Sequence, residues 1–263
     1  MIALDLKGAG VVVTGAGSGI GAALARRFAT AGARVVVNDL DTTLAQHVAD
    51  EIGGLAVPGD AAAEDSIATL IETARHHLGE IDLFCANAGI EPGGGIDTPT
   101  DVWDRTWQVN VMAHVHAARH LIGPWLERGR GHFLATVSAA GLLTHVGSAP
   151  YSVSKHGALA FAEWLAATHA DRGITVQVLC PMGVRTRMYE QTHTAAKTVL
   201  GDNILEPDHV ADHVMGSLGD ERFLILPHPE VRALYAIRAT DTERWLQAMN
   251  RVHQTLLDSD HPE

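Results

Sequence analysis

The chain is short of positive charge and of cysteine, and it has no long apolar run. Nineteen lysines and arginines stand against thirty-one acids, a formal net charge of −12 over 263 residues. An acidic chain with no basic stripe argues against nucleic acid and against an anionic membrane surface as partners. The longest apolar runs are only strand-sized, so nothing is expected to span a bilayer. The first residues, M-I-A-L-D-L-K-G, carry an acid and a base where a secretion signal needs an apolar core. The two cysteines, Cys85 and Cys180, lie in apolar, strand-like stretches. They read as buried thiols rather than a disulfide, which fits a reducing cytoplasm. Sixteen histidines are scattered without ligand spacing, so no metal site is expected. Tandem repeats, linkers and low-complexity segments are missing too. With 46% hydrophobic and 19% charged residues, the chain reads as one domain with one large core.

What is present is an alternation of strands and helices. The β-branched run Gly10–Thr14 is a strand, and G-A-G-S-G-I-G (Gly15 to Gly21) follows it. A helix with Ile20, Leu24 and Phe28 on one stripe ends near Gly32, and a second strand, Arg34 to Asn38, leads to Asp39. Glycines in such a loop let backbone approach a pyrophosphate at a helix N-terminus. The spacing is G-x-x-x-G-x-G, not G-x-G-x-x-G. Asp39 can accept bonds from a ribose diol and would repel a 2′-phosphate. Leu40 after it brings no base to hold that phosphate, which favours NAD over NADP. Asp39 could instead cap the next helix, although Asp41 or Thr42 could fill that role.

The pattern continues with a helix from Thr42 to Ile52, a strand from Leu55 to Pro58, a helix from Glu64 to Leu78 and a strand from Ile81 to Ala86. A helical stretch from Pro99 to about Arg128 follows, with Trp103, Trp107, Val111 and Val115 expected in the core. Further strands are expected at Gly131–Val137, Ile174–Leu179 and Arg222–Leu226. A parallel sheet covered on both faces binds ligands at the carboxyl ends of its strands. Asp39, Asp60, Asn87 and Ser138 all fall at such ends. Asn110, polar inside an apolar stripe, is either a structural bond to a neighbouring strand or part of the site.

Ser138 is delivered by the fifth strand. A helix starting near Pro150 then carries Tyr151 and Lys155 at i and i+4, on one face. A cation beside a phenol favours its ionised form, and a neighbouring hydroxyl can hold an oxygen that gains charge. The three form an acid/base site for a carbonyl or alcohol oxygen. Y-x-x-x-K alone recurs by chance; the nucleotide signals upstream give it weight. Residues 187–206 read as an irregular segment beside the site, a substrate lid. The tail, 229–263, holds one expected helix from Asp241 to Leu257 with Trp245, Met249, Val252 and Leu256 apolar. Leu143, His145, Met182, Met188 and Tyr189 are the candidate substrate residues, mainly apolar.

With T-G-A-G-S-G-I-G (Thr14 to Gly21), N-A-G (Asn87 to Gly89), Asn110, Ser138, Y-S-V-S-K (Tyr151 to Lys155) and P-M-G-V-R-T (Pro181 to Thr186), the chain resembles the short-chain dehydrogenase/reductase family over about residues 5 to 226. The resemblance implies an α/β, doubly wound Rossmann sheet of seven parallel strands in the order 3-2-1-4-5-6-7, and a homotetramer or homodimer. It implies that Tyr151 transfers the proton, that Ser138 positions the oxygen, and that Lys155 lowers the Tyr151 pKa and binds the nicotinamide ribose. Asn110 would hold a water. Asp60 would meet the adenine, and Val184 and Thr186 the carboxamide. Ser18, Ile20, Leu40, Ala61, Ala88, Gly89, Pro181 and Gly183 complete the implied NAD contacts. Two departures stand out: P-M replaces the usual P-G after the sixth strand, and R-F-L-I-L-P-H-P (Arg222 to Pro229) replaces the usual ending. The function expected is NAD-dependent interconversion of a medium-sized, mainly hydrophobic secondary alcohol and its ketone. The alternatives are a 3-oxoacyl-carrier-protein reductase and a non-catalytic NAD-sensing protein.

Overall fold

β-Branched runs build the centre of the sheet, because strands covered on both faces need apolar side chains pointing both ways. In β1 (Gly10–Thr14) Val11 and Val13 enter one core and Val12 the other. The computed structural model describes residues 4–191, 203–220 and 222–260. The remaining strands are β2 (Arg34–Asn38), β3 (Leu55–Ala56), β4 (Leu83–Ala86), β5 (Gly131–Thr136), β6 (Ile174–Leu179) and β7 (Leu224–Ile225). All pairings are parallel, in the order β3-β2-β1-β4-β5-β6-β7, as the resemblance implied. The order reverses between β1 and β4, which opens a crevice at their carboxyl ends.

Helices α1 (Gly19–Thr30), α2 (Thr42–Ile52) and α9 (Pro207–Ser217) cover one face around Leu24, Phe28 and Val48. Helices α3 (Glu64–Leu78), α5 (Ala113–Arg128) and α7 (Ala149–His169) cover the other, around Phe84, Trp125 and Phe133. Among the described residues no helix is long and apolar enough to cross a membrane. Cys85 and Cys180 are both buried free thiols.

Several expectations are corrected. The edge strands β3 and β7 are two residues each; Pro58 has no N–H to extend the first, and Arg222 gives its N–H to Asp220. The helix expected over Pro99 to Arg128 is α4 (Thr100–Trp107), a π turn (Gln108–Met112) and α5. The extra residue in a π turn rotates the face by about 100°, so a stripe with α-helical spacing does not stay on one side. Val111 is buried, but Trp103 and Val115 are only half-buried and Trp107 is 40% exposed, not core. The loop after Ser138 contains a one-turn helix, α6 (Ala140–Leu143). The segment expected to be irregular begins with helix α8 (Arg187–Gln191), while residues 192–202 of the expected lid lie outside the described residues. The tail holds two helices, α10 (Glu230–Thr240) and α11 (Thr242–Asp260), where the apolar pattern predicts only the second.

Candidate active site

The crevice is built where β1 and β4 end. The Thr14 hydroxyl donates to the Cys85 carbonyl (3.3 Å) and accepts from the N–H groups of Asn87 (3.0 Å) and Ala88 (3.1 Å). The Asn87 amide donates to the carbonyls of Thr14 (3.0 Å) and Gly15 (3.3 Å). The motifs T-G and N-A-G are thus two halves of one knot. Gly15 has φ +61 and Gly19 φ +53, in the region that favours glycine. A Cβ on Gly21 would lie 2.2 Å from the Gly15 carbonyl oxygen, and one on Gly17 2.7 Å from Leu44 Cβ. The loop is therefore bare backbone, and it runs into α1, whose N-cap Ser18 makes no side-chain cap bond. Backbone N–H groups at such a helix start suit an anion, so the cradle fits a pyrophosphate.

Asp39 stands beside this loop. Its Oδ2 accepts from Gly17 N–H (2.9 Å) and its Oδ1 from Asp41 N–H (3.0 Å). Asp41, not Asp39, caps α2, accepting from Thr43 (2.9 Å) and Leu44 (3.1 Å). A carboxylate has about four acceptor sites, so Asp39 retains capacity for a ribose diol. Asp60 is different: it takes a two-point ion pair from Arg105 (2.8 and 3.2 Å) and the Ala62 N–H (2.9 Å). Burial pushes its carboxyl up, but Arg105 and the backbone outweigh burial and hold it below its ordinary value. Sequence reasoning missed Arg105 because the partners are forty-five residues apart.

The catalytic candidates converge at the ends of β5 and α7. Burial pushes the Tyr151 phenol up to about 12, with Glu91 and Cys180 adding to it and the hydrogen bond from Ser138 opposing it. Lys155 is 2% exposed, and burial lowers its ammonium to about 8. Its Nζ donates to the Thr136 carbonyl (3.0 Å) and lies 5.5 Å from the centre of the Tyr151 ring. In the chain alone, then, burial outweighs the cation: Lys155 lies against the ring rather than on the hydroxyl. Asn110 is fully buried at the centre of the π turn. Its amide accepts from Ile90 N–H (2.9 Å) and donates to the Ile90 carbonyl (2.9 Å) and Ser154 Oγ (2.9 Å). A Cβ on Gly89 would sit 3.3 Å from both Asn110 Oδ1 and Lys155 Nζ, so the three adjoin.

One cavity of about 610 Å³ gathers these groups. Every candidate cofactor and substrate residue named from the sequence lines it, and so do Ser138, Tyr151 and Lys155; Asn110 stands behind the wall. Leu143, His145, Met182, Met188 and Tyr189 line the same cavity as the glycine loop. Burial holds the His145 imidazole below its ordinary value, against the pull of Glu91. The cavity also takes in residues the sequence did not flag as site residues: Glu91, Arg105, Leu234, Trp245, Met249 and Val252. The apolar stripe of the tail was the available signal for the last three. Met182 presents its N–H to His228 Nδ1 (3.1 Å), so the two departures from the family pattern meet.

A family profile described as short chain dehydrogenase matches residues 9–197. The 1-deoxy-11-beta-hydroxypentalenate dehydrogenase of Streptomyces exfoliatus is 37% identical over 238 residues, 87% of this chain and 86% of that protein. The crystal structure of a short chain dehydrogenase/reductase from Burkholderia phymatum in complex with NAD superposes with a TM-score of 0.83. It is 26% identical and covers 91% of this chain and 96% of that one. The 3-ketoacyl-(acyl-carrier-protein) reductase of Brucella melitensis complexed with NADH gives 0.78 and 28% identity, covering 85% and 98%.

Proposed function

The chain belongs to the short-chain dehydrogenase family, and we propose that it interconverts a medium-sized, mainly hydrophobic secondary alcohol and its ketone with NAD(H), through Ser138, Tyr151 and Lys155. The observation that carries this reading is the single cavity that holds a glycine cradle with Asp39 at one end and the Ser138–Tyr151–Lys155 set within it. The hydroxypentalenate dehydrogenase relative and the NAD-bound structural neighbour support an oxidoreductase of this cofactor and substrate class.

NAD would be held by the Gly15–Gly21 backbone, by Asp39 on the adenosine ribose, by Lys155 on the nicotinamide ribose and by Val184 and Thr186. When bound it accepts or donates the hydride. The protein's own work is the proton. Tyr151, protonated at neutral pH in the chain alone, gives its proton to a ketone oxygen in reduction and takes one from the alcohol in oxidation. The Ser138 hydroxyl, which accepts from Ala140 N–H (3.0 Å) and donates to the Pro181 carbonyl (3.4 Å), would hold the same substrate oxygen. Lys155, anchored on Thr136, supplies positive charge beside the ring. Asn110 braces Ile90 and borders Lys155 through Gly89, which supports a role for its turn in passing the proton onward.

The carrier-protein reductase reading is weaker. Carrier proteins are acidic, and a chain of net charge −12 offers them little attraction. The Brucella reductase was solved with NADH, so the cofactor does not separate the two readings and the charge argument must. The homotetramer or homodimer expectation is supported by exposed Trp107, Val153 and Trp164 on α4 and α7, an apolar surface suited to a second copy. Buried, unpaired Cys85 and Cys180 support a reducing, cytoplasmic location. The test is a screen of secondary alcohols with NAD, following the absorbance of reduced nicotinamide. Turnover of apolar secondary alcohols is expected. No turnover with any alcohol by a folded, NAD-binding protein would leave the sensing protein as the reading.

A further inference from the structure

Two polar side chains in the cavity, Glu91 and His145, take no part in the proton transfer. Each is fixed to the catalytic framework. Glu91 follows Ile90, whose N–H and carbonyl are both held by the Asn110 amide (2.9 Å each). His145 is clasped by Ser152, the residue after Tyr151. Its N–H donates to Ser152 Oγ (2.8 Å), and that hydroxyl donates back to the His145 carbonyl (2.9 Å). The loops that carry the two residues are joined as well. Gly94 pairs with Ser148 in an isolated parallel bridge, and Ala149 N–H donates to the Gly94 carbonyl (2.9 Å).

Both side chains keep hydrogen-bonding capacity that the protein does not fill. Glu91 Oε1 accepts from Gly93 N–H (2.9 Å); among the described residues neither Glu91 Oε2 nor the His145 ring makes a hydrogen bond. A Cβ on Gly147 would lie 3.1 Å from His145 Cε1 and 3.4 Å from Nε2, so the ring rests against bare backbone. The Glu91 charge reaches two neighbours at once. It pushes the Tyr151 phenol up, and it draws the His145 imidazole up against the burial that holds it down. The cations of the cavity stand elsewhere. Arg105 pairs with Asp60, and Lys155 donates to the Thr136 carbonyl. Arg187 follows Thr186, whose Cγ2 is 3.1 Å from where a Cβ on Gly19 would be.

Resting on the dehydrogenase reading, we propose that Glu91 and His145 form a polar subsite for a second hydroxyl of the substrate, so that the enzyme acts on diols, and on the hydroxyketones they yield, in preference to alcohols with one hydroxyl. One hydroxyl gives its proton to Tyr151 while its carbon gives the hydride to NAD; the second stays intact. That second hydroxyl donates to the open Glu91 oxygen and meets the neutral imidazole, which can donate or accept. A carboxylate in its place would be repelled by Glu91. An ammonium would have to shed its water among Leu143, Val146 and Met182. Because Glu91 is tied to Asn110 through Ile90 and His145 to Ser152, the subsite is held in register with Tyr151.

The experiment compares kcat/KM with NAD for the cyclohexane-1,2-, 1,3- and 1,4-diols, each against its own monomethyl ether, in the parent, Glu91→Gln and His145→Phe. The ether keeps the reacting alcohol and the second oxygen but cannot donate from it. Binding of the same compounds to the NADH-loaded proteins, where the diol cannot be oxidised, is measured by calorimetry. In the parent at least one diol should exceed its ether by about tenfold or more in both readouts, the worth of a hydrogen bond to a charged group. Glu91→Gln should bring that ratio to within a few-fold of one, because the amide is a neutral acceptor and can itself donate to the ether. His145→Phe should reduce it several-fold. The ratio is taken within one protein, so a loss of folded enzyme does not mimic it. No diol preferred over its ether in the parent, or a ratio that Glu91→Gln leaves unmoved, overturns the subsite. A ratio moved by Glu91→Gln alone overturns the part given to His145. A parent that prefers 4-aminocyclohexanol to every diol overturns the choice of a hydroxyl. Diols that bind better than their ethers while no alcohol is turned over would sink the dehydrogenase reading and leave the subsite standing.

Discussion

In the proposed function cofactor choice rests on Asp39, and its surroundings allow the effect to be sized. Two of its acceptor sites are taken by Gly17 and Asp41 N–H groups, which fixes the carboxylate against the glycine loop. A charged hydrogen bond to a ribose hydroxyl contributes roughly 1.5–3 kcal/mol. A 2′-phosphate at about 6 Å, with an effective dielectric of about 40, would be repelled by roughly 2 kcal/mol. The two effects together favour NAD by at least about a hundredfold in kcat/KM. Asp39→Asn separates them, because it keeps an acceptor and removes the charge. The NADP-to-NAD ratio of kcat/KM should rise about thirtyfold, the equivalent of the repulsion alone. Asp39→Ala should also slow NAD use, since Gly17 N–H loses its partner and the loop its brace. The assay is kcat/KM for both cofactors in the three proteins. A ratio that does not move in Asp39→Asn would show that the carboxylate does not face the ribose.

Three further outcomes are expected. Glu91 raises the Tyr151 pKa, so Glu91→Gln, which can keep the bond from Gly93 N–H, should move the rising limb of the alcohol-oxidation pH profile to lower pH; an unmoved limb would separate Glu91 from the phenol. His228→Phe keeps a buried ring but leaves Met182 N–H without its partner, while the Gly183 carbonyl retains Leu205 N–H, so KM for NAD should rise several-fold and the thermal midpoint should fall by a few degrees; an unchanged KM would refute the positioning of that turn. His114 is fully buried with neither ring nitrogen bonded, and burial holds it at about 3. Its unfolded value is near 6.5, so the unfolded chain takes up the proton first and stability is lost as pH falls from about 6.5 toward 3. His114→Phe, edge-on to Phe133, should raise the melting temperature at neutral pH and flatten its fall in acid; a lower melting temperature would mean the imidazole has a partner.

The alternation of strands and helices and the glycine loop were legible because they rest on local signals, whereas the order of the strands came from the family resemblance and not from any spacing. Gly15, Gly19 and Gly21 encode a backbone shape, and Tyr151 and Lys155 share a helix face whatever surrounds them. Asn110 was seen as an anomaly, but its side-chain bonds to Ile90 and Ser154 depend on contacts twenty and forty-four residues away, which no spacing displays. The π turn that holds it also moved Trp107 out of the core, since helical periodicity assumes an unbroken helix. The Arg105–Asp60 pair and the tail's place at the cavity depend on tertiary packing alone. The stripe of Trp245, Met249 and Val252 announced a buried face without saying what it faces.

The most direct test of the chemistry is single-turnover hydride transfer from a secondary alcohol to NAD by Tyr151→Phe, with NAD affinity measured on the same protein. Removing the hydroxyl while keeping the ring should slow transfer by about a thousandfold or more and leave NAD affinity within a few-fold of the parent. Transfer at near the parent rate in a folded Tyr151→Phe protein would contradict the assignment of the proton to this phenol.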